Sequence, residues 1–100
     1  MNNLQNAFQA FKDLDRKFPI NAALVFLYIA KHEPCLKQDM ENALGLTSAS
    51  GSRNTSYLCD SNRLKKPGLG LIVKQDSIED RRHSDLTLTD KGRQFYQLIA

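Results

Sequence analysis

Leu44-Gly45-Leu46-Thr47-Ser48-Ala49-Ser50-Gly51-Ser52-Arg53-Asn54, then Leu69-Gly70-Leu71-Ile72-Val73-Lys74, then Glu79-Asp80-Arg81-Arg82-His83, is the stretch on which the fold of this 100-residue chain turns. Its first part reads as a helix end, a tight turn and a new helix start. Gly45 supplies the left-handed backbone conformation that closes a helix and that residues with a Cβ adopt reluctantly. Leu46 plugs the turn, and Thr47 or Ser48 caps the helix that follows. Two apolar, β-prone runs around a polar, basic tip come next. Together these spell a helix-turn-helix followed by a hairpin.

The helix after the turn is a poor one by local preference. Serine, threonine, asparagine and glycine are weak helix formers, and Gly51 alone costs about 1 kcal/mol against alanine. A Ser/Thr-rich loop is the plain alternative, but Tyr57 and Leu58 extend the helical pattern toward a core. Small polar side chains let a helix enter a major groove about 12 Å wide, where hydroxyl and amide groups bond phosphates and base edges. Arg53 suits guanine and Asn54 suits adenine, and the helix N-terminus offers amides to a phosphate. In the hairpin, Leu71 and Val73 share one strand face and Ile72 and Lys74 the other, and the return strand runs from about Asp85 to Leu88. Arg81 and Arg82 at its tip can enter a narrow minor groove, with Asp80 able to orient one of them.

Working outward, Leu4, Ala7, Phe8, Phe11, Leu14 and Phe18 form one stripe of an amphipathic helix between Asn3 and Lys17 that Pro19 ends. That stripe faces either its own domain or a partner subunit. Asn21 reads as the N-cap of a second helix, with Ile20 and Val25 as a hydrophobic staple. Ala22 to Ala30 is apolar nearly all round and belongs at the centre of the core, and Lys31, His32 and Pro34 close it. Cys35 and Leu36 form a very short strand. A third helix then spans about Lys37 to Leu44, with Met40, Ala43 and Leu44 inward. Thr89 caps the last helix, whose apolar side holds Phe95, Leu98 and Ile99; Phe95 and Leu98 reach back to the first helix.

Composition sets the frame. With 41% hydrophobic and 25% charged residues, the chain is one globular domain with one modest core. No run approaches the roughly eighteen apolar residues of a membrane span, and no signal peptide opens the chain, so a cytoplasmic protein is expected. Cys35 and Cys59 stand far from any metal-ligand spacing, so neither metal nor cofactor is expected. Residues 1–47 hold five Lys/Arg against five Asp/Glu, whereas residues 48–100 hold nine against six. The whole net charge of +3 thus lies in the second half of the chain, the half that a polyanion would feel. No nucleophile, base and orienting group are gathered anywhere, which argues against an enzyme.

On three segments the chain resembles the MarR family of winged helix-turn-helix transcriptional regulators. They are Leu44-Gly45-Leu46-Thr47 leading to Ser50 and Arg53, then Asp76 with Glu79-Asp80-Arg81-Arg82, then Leu88-Thr89-Asp90-Lys91-Gly92. The resemblance spans about residues 20–100 and implies a mainly α fold with a small antiparallel β wing. It also implies a homodimer on a pseudo-palindromic double-stranded operator, usually as a repressor. By position, DNA contacts would fall on Ser48, Ser50, Ser52, Arg53, Asn54 and Tyr57, on Gln38 opening the preceding helix, and on Arg81, Arg82 and His83 in the wing. Family members are commonly about half as long again, with a long C-terminal helix that builds the dimer and lines a ligand pocket. Dimerisation here is therefore expected on Leu4, Phe8, Phe11, Phe95 and Leu98, with a small-molecule effector doubtful. Two other readings share the fold: a protein-interaction or assembly module, motivated by the phenylalanine stripe, and a replication accessory DNA-binding protein.

Overall fold

The computed structural model of the chain describes residues 4–59, 69–76 and 84–99. In order they form α1 (Leu4–Leu14), α2 (Ile20–His32), β1 (Cys35–Leu36), α3 (Lys37–Leu44), α4 (Ser48–Leu58), β2 (Ile72–Asp76), β3 (Ser84–Leu88) and α5 (Asp90–Ile99). The mainly helical fold with a three-stranded antiparallel sheet, order β1-β3-β2, is the expected winged helix-turn-helix. Among the described residues no helix is long and apolar enough to cross a membrane.

As its all-round apolar sequence requires, α2 runs through the centre. Ala22, Ala23, Val25, Phe26 and Ile29 are all buried. The Phe26 ring meets Phe11 at 6.1 Å, Phe95 at 5.5 Å and Tyr96 at 6.3 Å between centroids, which locks α1 and α5 onto α2. Two residues expected at a dimer face, Phe11 and Phe95, are therefore core residues, 5.2 Å apart and only 4% and 8% exposed. The stripe splits. Its inner side builds this domain, while Leu4, Phe8 and Leu98 stay exposed.

Two local expectations need correction. The N-cap of α2 is Pro19, in extended conformation, and not Asn21; the Ala23 amide donates to the Pro19 carbonyl at 3.1 Å. Starting two residues earlier puts Ile20 in the first turn, 59% exposed, so it makes no staple with the buried Val25. In α3, Met40 points inward as expected, but Ala43 is exposed and Glu41 is buried in its stead. Lys37, Met40, Glu41 and Leu44 are the residues that share one helix face, and position 43 falls outside it.

Ile72 pairs with Leu88, and Leu86 lies opposite both Lys74 and Cys35, so Ile72, Leu86 and Leu88 form the buried side of the sheet. Burial pushes the Cys35 thiol up to about 11, and Asp39, Asp85 and Glu33 add to the effect. At neutral pH it is a protonated packing group.

Candidate nucleic-acid interface

Every expected part of the turn between α3 and α4 is present. Gly45 sits at φ 69°, ψ 32°, and its amide and that of Leu46 both donate to the Glu41 carbonyl. Thr47 is the N-cap: its hydroxyl oxygen accepts from the Ser50 amide at 3.0 Å, and its carbonyl accepts from the Gly51 amide at 2.8 Å. Thr47→Ala should destabilise the domain by about 1 kcal/mol, measured by urea unfolding, because it strands that amide.

Helical periodicity then divides α4 into two faces. Gly51, Asn54, Thr55 and Leu58 are buried. Ser48, Ala49 and Arg53 are exposed, and Ser50, Ser52 and Ser56 are half-buried. Gly51 is explained from within the protein. A Cβ there would lie 2.0 Å from Glu41 Oε2, so the glycine lets the α3 carboxylate reach the α4 backbone. Thr55 donates its hydroxyl hydrogen back to the Gly51 and Ser52 carbonyls, which lets a polar residue sit buried.

Two expected DNA-contact side chains are committed elsewhere. The Asn54 amide, in a residue 9% exposed, donates to the Ser50 carbonyl at 2.8 Å and to its hydroxyl oxygen at 3.3 Å, because position 54 falls on the inner face with Leu58. The Tyr57 hydroxyl donates to Asp15, and its ring packs edge-on against Phe18 at 5.3 Å. Arg53, Ser48 and Ser52 lie toward the open side, Ser50 is half-buried with its hydroxyl engaged by Asn54, and Gln38 is exposed at the start of α3. Sequence reasoning missed Ala49 and Ser56 on that side; counting back one and two turns from Leu58 to find the inner face would have located them.

Beneath the turn, Lys37 forms a partly buried ion pair with Glu41, and its ammonium also donates to the Ser48 carbonyl at 3.4 Å. The pair lies within α3, and the bond to Ser48 links it to α4 at the point where α4 begins.

Residues 69–71 tie the end of α4 to the start of the wing. The amides of Leu69, Gly70 and Leu71 donate to the carbonyls of Tyr57, Cys59 and Leu58, at 3.2, 3.1 and 2.8 Å. These bonds satisfy carbonyls that the end of a helix otherwise leaves unpaired. The Thr89-Asp90-Lys91-Gly92 segment grips the same three residues. Thr89 donates its hydroxyl hydrogen to the Gly70 carbonyl at 2.6 Å while accepting from the Gly92 amide as N-cap, and its own amide donates to the Leu71 carbonyl. Lys91 reaches the Leu69 carbonyl at 2.8 Å. Glu33 adds a tie by accepting from the Leu88 amide and from Arg93. The wing base is thus fixed against α4 through residues 69–71. Arg81, Arg82 and His83 lie outside the described residues.

No family model matches the chain. Over 77 residues it is 26% identical to an uncharacterized HTH-type transcriptional regulator of Staphylococcus aureus strain Mu50, taking in 77% of this chain and 47% of that protein. The chain spans about half the length of the curated relatives it matches. The crystal structure of MarR superposes with a TM-score of 0.74 over 95% of this chain and 64% of that one, at 16% identity. For the DNA complex of Staphylococcus aureus MepR the values are 0.71, 93%, 68% and 20%. The chain therefore has the winged helix-turn-helix fold of the MarR-type regulators, with the turn, α4 and the wing base all in place.

Proposed function

We propose that the chain is a sequence-specific double-stranded DNA-binding regulator of transcription, with α4 in the major groove. The observation that carries this reading is the outer side of α4, where exposed Arg53 stands among Ser48, Ala49, Ser52 and Ser56 on a helix whose start is capped and braced from within. Arg53 reads guanine through a paired donor contact. The serines and the N-terminal amides take phosphates and base edges, and Ala49 offers a methyl to thymine. Gln38 makes a backbone contact, and Arg81, Arg82 and His83 reach the flanking minor groove. The protein works by binding, in the cytoplasm, as a homodimer. Exposed Leu4, Phe8 and Leu98 support a second copy covering that side, with the two α4 helices on half-sites about one helical turn apart.

Selection of bound fragments from genomic DNA, followed by fluorescence anisotropy on a recovered site, tests the reading. Binding should weaken steeply with salt. Arg53→Ala should weaken binding to the recovered site by about tenfold or more, and to a random duplex by much less. Absence of salt-dependent binding at low ionic strength would end the proposal. A loss for Arg81→Ala that is equal on both duplexes would assign that residue to a phosphate.

A further inference from the structure

Tyr57, on the last turn of α4, donates its hydroxyl hydrogen to Asp15, in the turn that follows α1 and 42 residues away in sequence. The other Asp15 carboxylate oxygen accepts from the Lys17 amide at 3.0 Å, and the Asp15 carbonyl accepts from Phe18 at 3.0 Å. One side chain therefore shapes the turn and holds the helix at once. Packing follows the same line, since the Phe18 ring meets Phe11 at 4.9 Å, tilted, and Tyr57 edge-on at 5.3 Å. The Tyr57 carbonyl, in turn, accepts from Leu69 at the wing base. Ring contacts of this kind tolerate sliding, but a hydroxyl–carboxylate bond is short, charge-assisted and directional.

The ends of α4 are held by other means, Thr47 and the Lys37–Glu41 pair at the start and residues 69–71 at the finish. Beside the seating of its inner face on Gly51, Asn54, Thr55 and Leu58, the Asp15–Tyr57 bond ties the last turn of α4 to the turn after α1. Arg53 lies one turn before Tyr57. A rotation of roughly 10° carries an arginine tip about 8 Å from the axis through roughly 1.5 Å, well beyond the distance range of a hydrogen bond.

We propose that Asp15 and Tyr57 are positioning residues for base reading: without touching DNA, they set the angle at which α4 presents Arg53, and they make that angle depend on where α1 sits. This rests on the DNA-binding reading above. It predicts a particular pattern for two variants that keep their shape, Tyr57→Phe and Asp15→Asn, made in the full chain.

Anisotropy on a fragment recovered from genomic DNA should show each variant weakened by about fivefold, with random-duplex affinity within about twofold of the parent. The double variant should bind no worse than the weaker single, because both changes act on the same charge-assisted bond, which Tyr57→Phe removes and Asp15→Asn weakens. A loss for Tyr57→Phe with none for Asp15→Asn would overturn the proposal in favour of a direct DNA contact by Tyr57. Additive losses, or equal losses on both duplexes, would overturn it too. If the parent bound no duplex at all, the DNA-binding reading would fall by itself, and hydrogen exchange of the α4 amides would judge the link. Faster exchange near residues 55–58 in both variants would uphold it as the tie between α1 and α4; rates equal to the parent's would remove it.

Discussion

Replacing Gly92 with alanine should destabilise the domain by about 2–3 kcal/mol and lower its melting temperature by roughly 10–20 °C. The expected sign is the opposite of what local preference gives, since alanine in a helix interior gains about 1 kcal/mol over glycine. A Cβ at position 92 would lie 2.0 Å from the Leu71 carbonyl oxygen and 3.0 Å from its carbonyl carbon. Those are backbone atoms, and they cannot swing aside as a side-chain end can. The Leu71 carbonyl already accepts from Thr89, and the Leu71 amide already donates to Leu58 at the end of α4. To admit a methyl group, α5 would have to move off residues 69–71 and loosen these bonds together with the contact of Lys91 to Leu69. Thermal unfolding followed by circular dichroism decides it. A variant as stable as the parent or more so would mean that α5 does not need its close approach to residues 69–71.

That glycine also marks how far the sequence could be read. The turn from Leu44 to Thr47 was legible because its chemistry is local: a left-handed glycine and a hydroxyl cap identify themselves without knowledge of the rest of the chain. The very short strand at Cys35 and Leu36 and the return strand to Leu88 came out within a residue of those observed, but that the two pair with each other left no trace in the sequence. In Thr89-Asp90-Lys91-Gly92 the cap was legible in the same local way, but the grip on the wing base was not. That grip on residues 69–71 depends on a neighbour about twenty positions back that no local pattern identifies.

In α4 the inner and outer faces are both polar, so hydrophobic periodicity could not separate them. Asn54 passes as a groove residue until its bonds to the preceding turn are seen. Phe11 and Phe95 show a different limit. Periodicity gives a stripe but not what covers it, and here half the stripe is covered by the domain's own aromatic rings.

The second large effect concerns the floor beneath α4, where Lys37→Met should cost about 2–3 kcal/mol in urea unfolding. Glu41 is 8% exposed, and its carboxylate occupies the space that Gly51 leaves empty. Desolvation of that carboxylate is offset by the Lys37 ammonium, and the two side chains are 13% and 10% exposed. Methionine fills the volume of the lysine stem but leaves the charge without its partner. Residual contact with water places the loss below the upper end of about 5 kcal/mol for fully buried pairs. The double change Lys37→Met with Glu41→Met should recover most of the stability, because then neither charge is buried. Comparison of single and double variants separates two accounts of why Lys37 stands there. If desolvation of Glu41 is the cause, the double is more stable than the single. If the bond from Lys37 to the Ser48 carbonyl is the cause, both lose the same amount, and at 3.4 Å between a flexible ammonium and an exposed carbonyl that loss should be small. The geometry favours the first: the lysine neutralises a carboxylate, the glycine admits it, and α4 is set against α3 by a residue that never faces the groove.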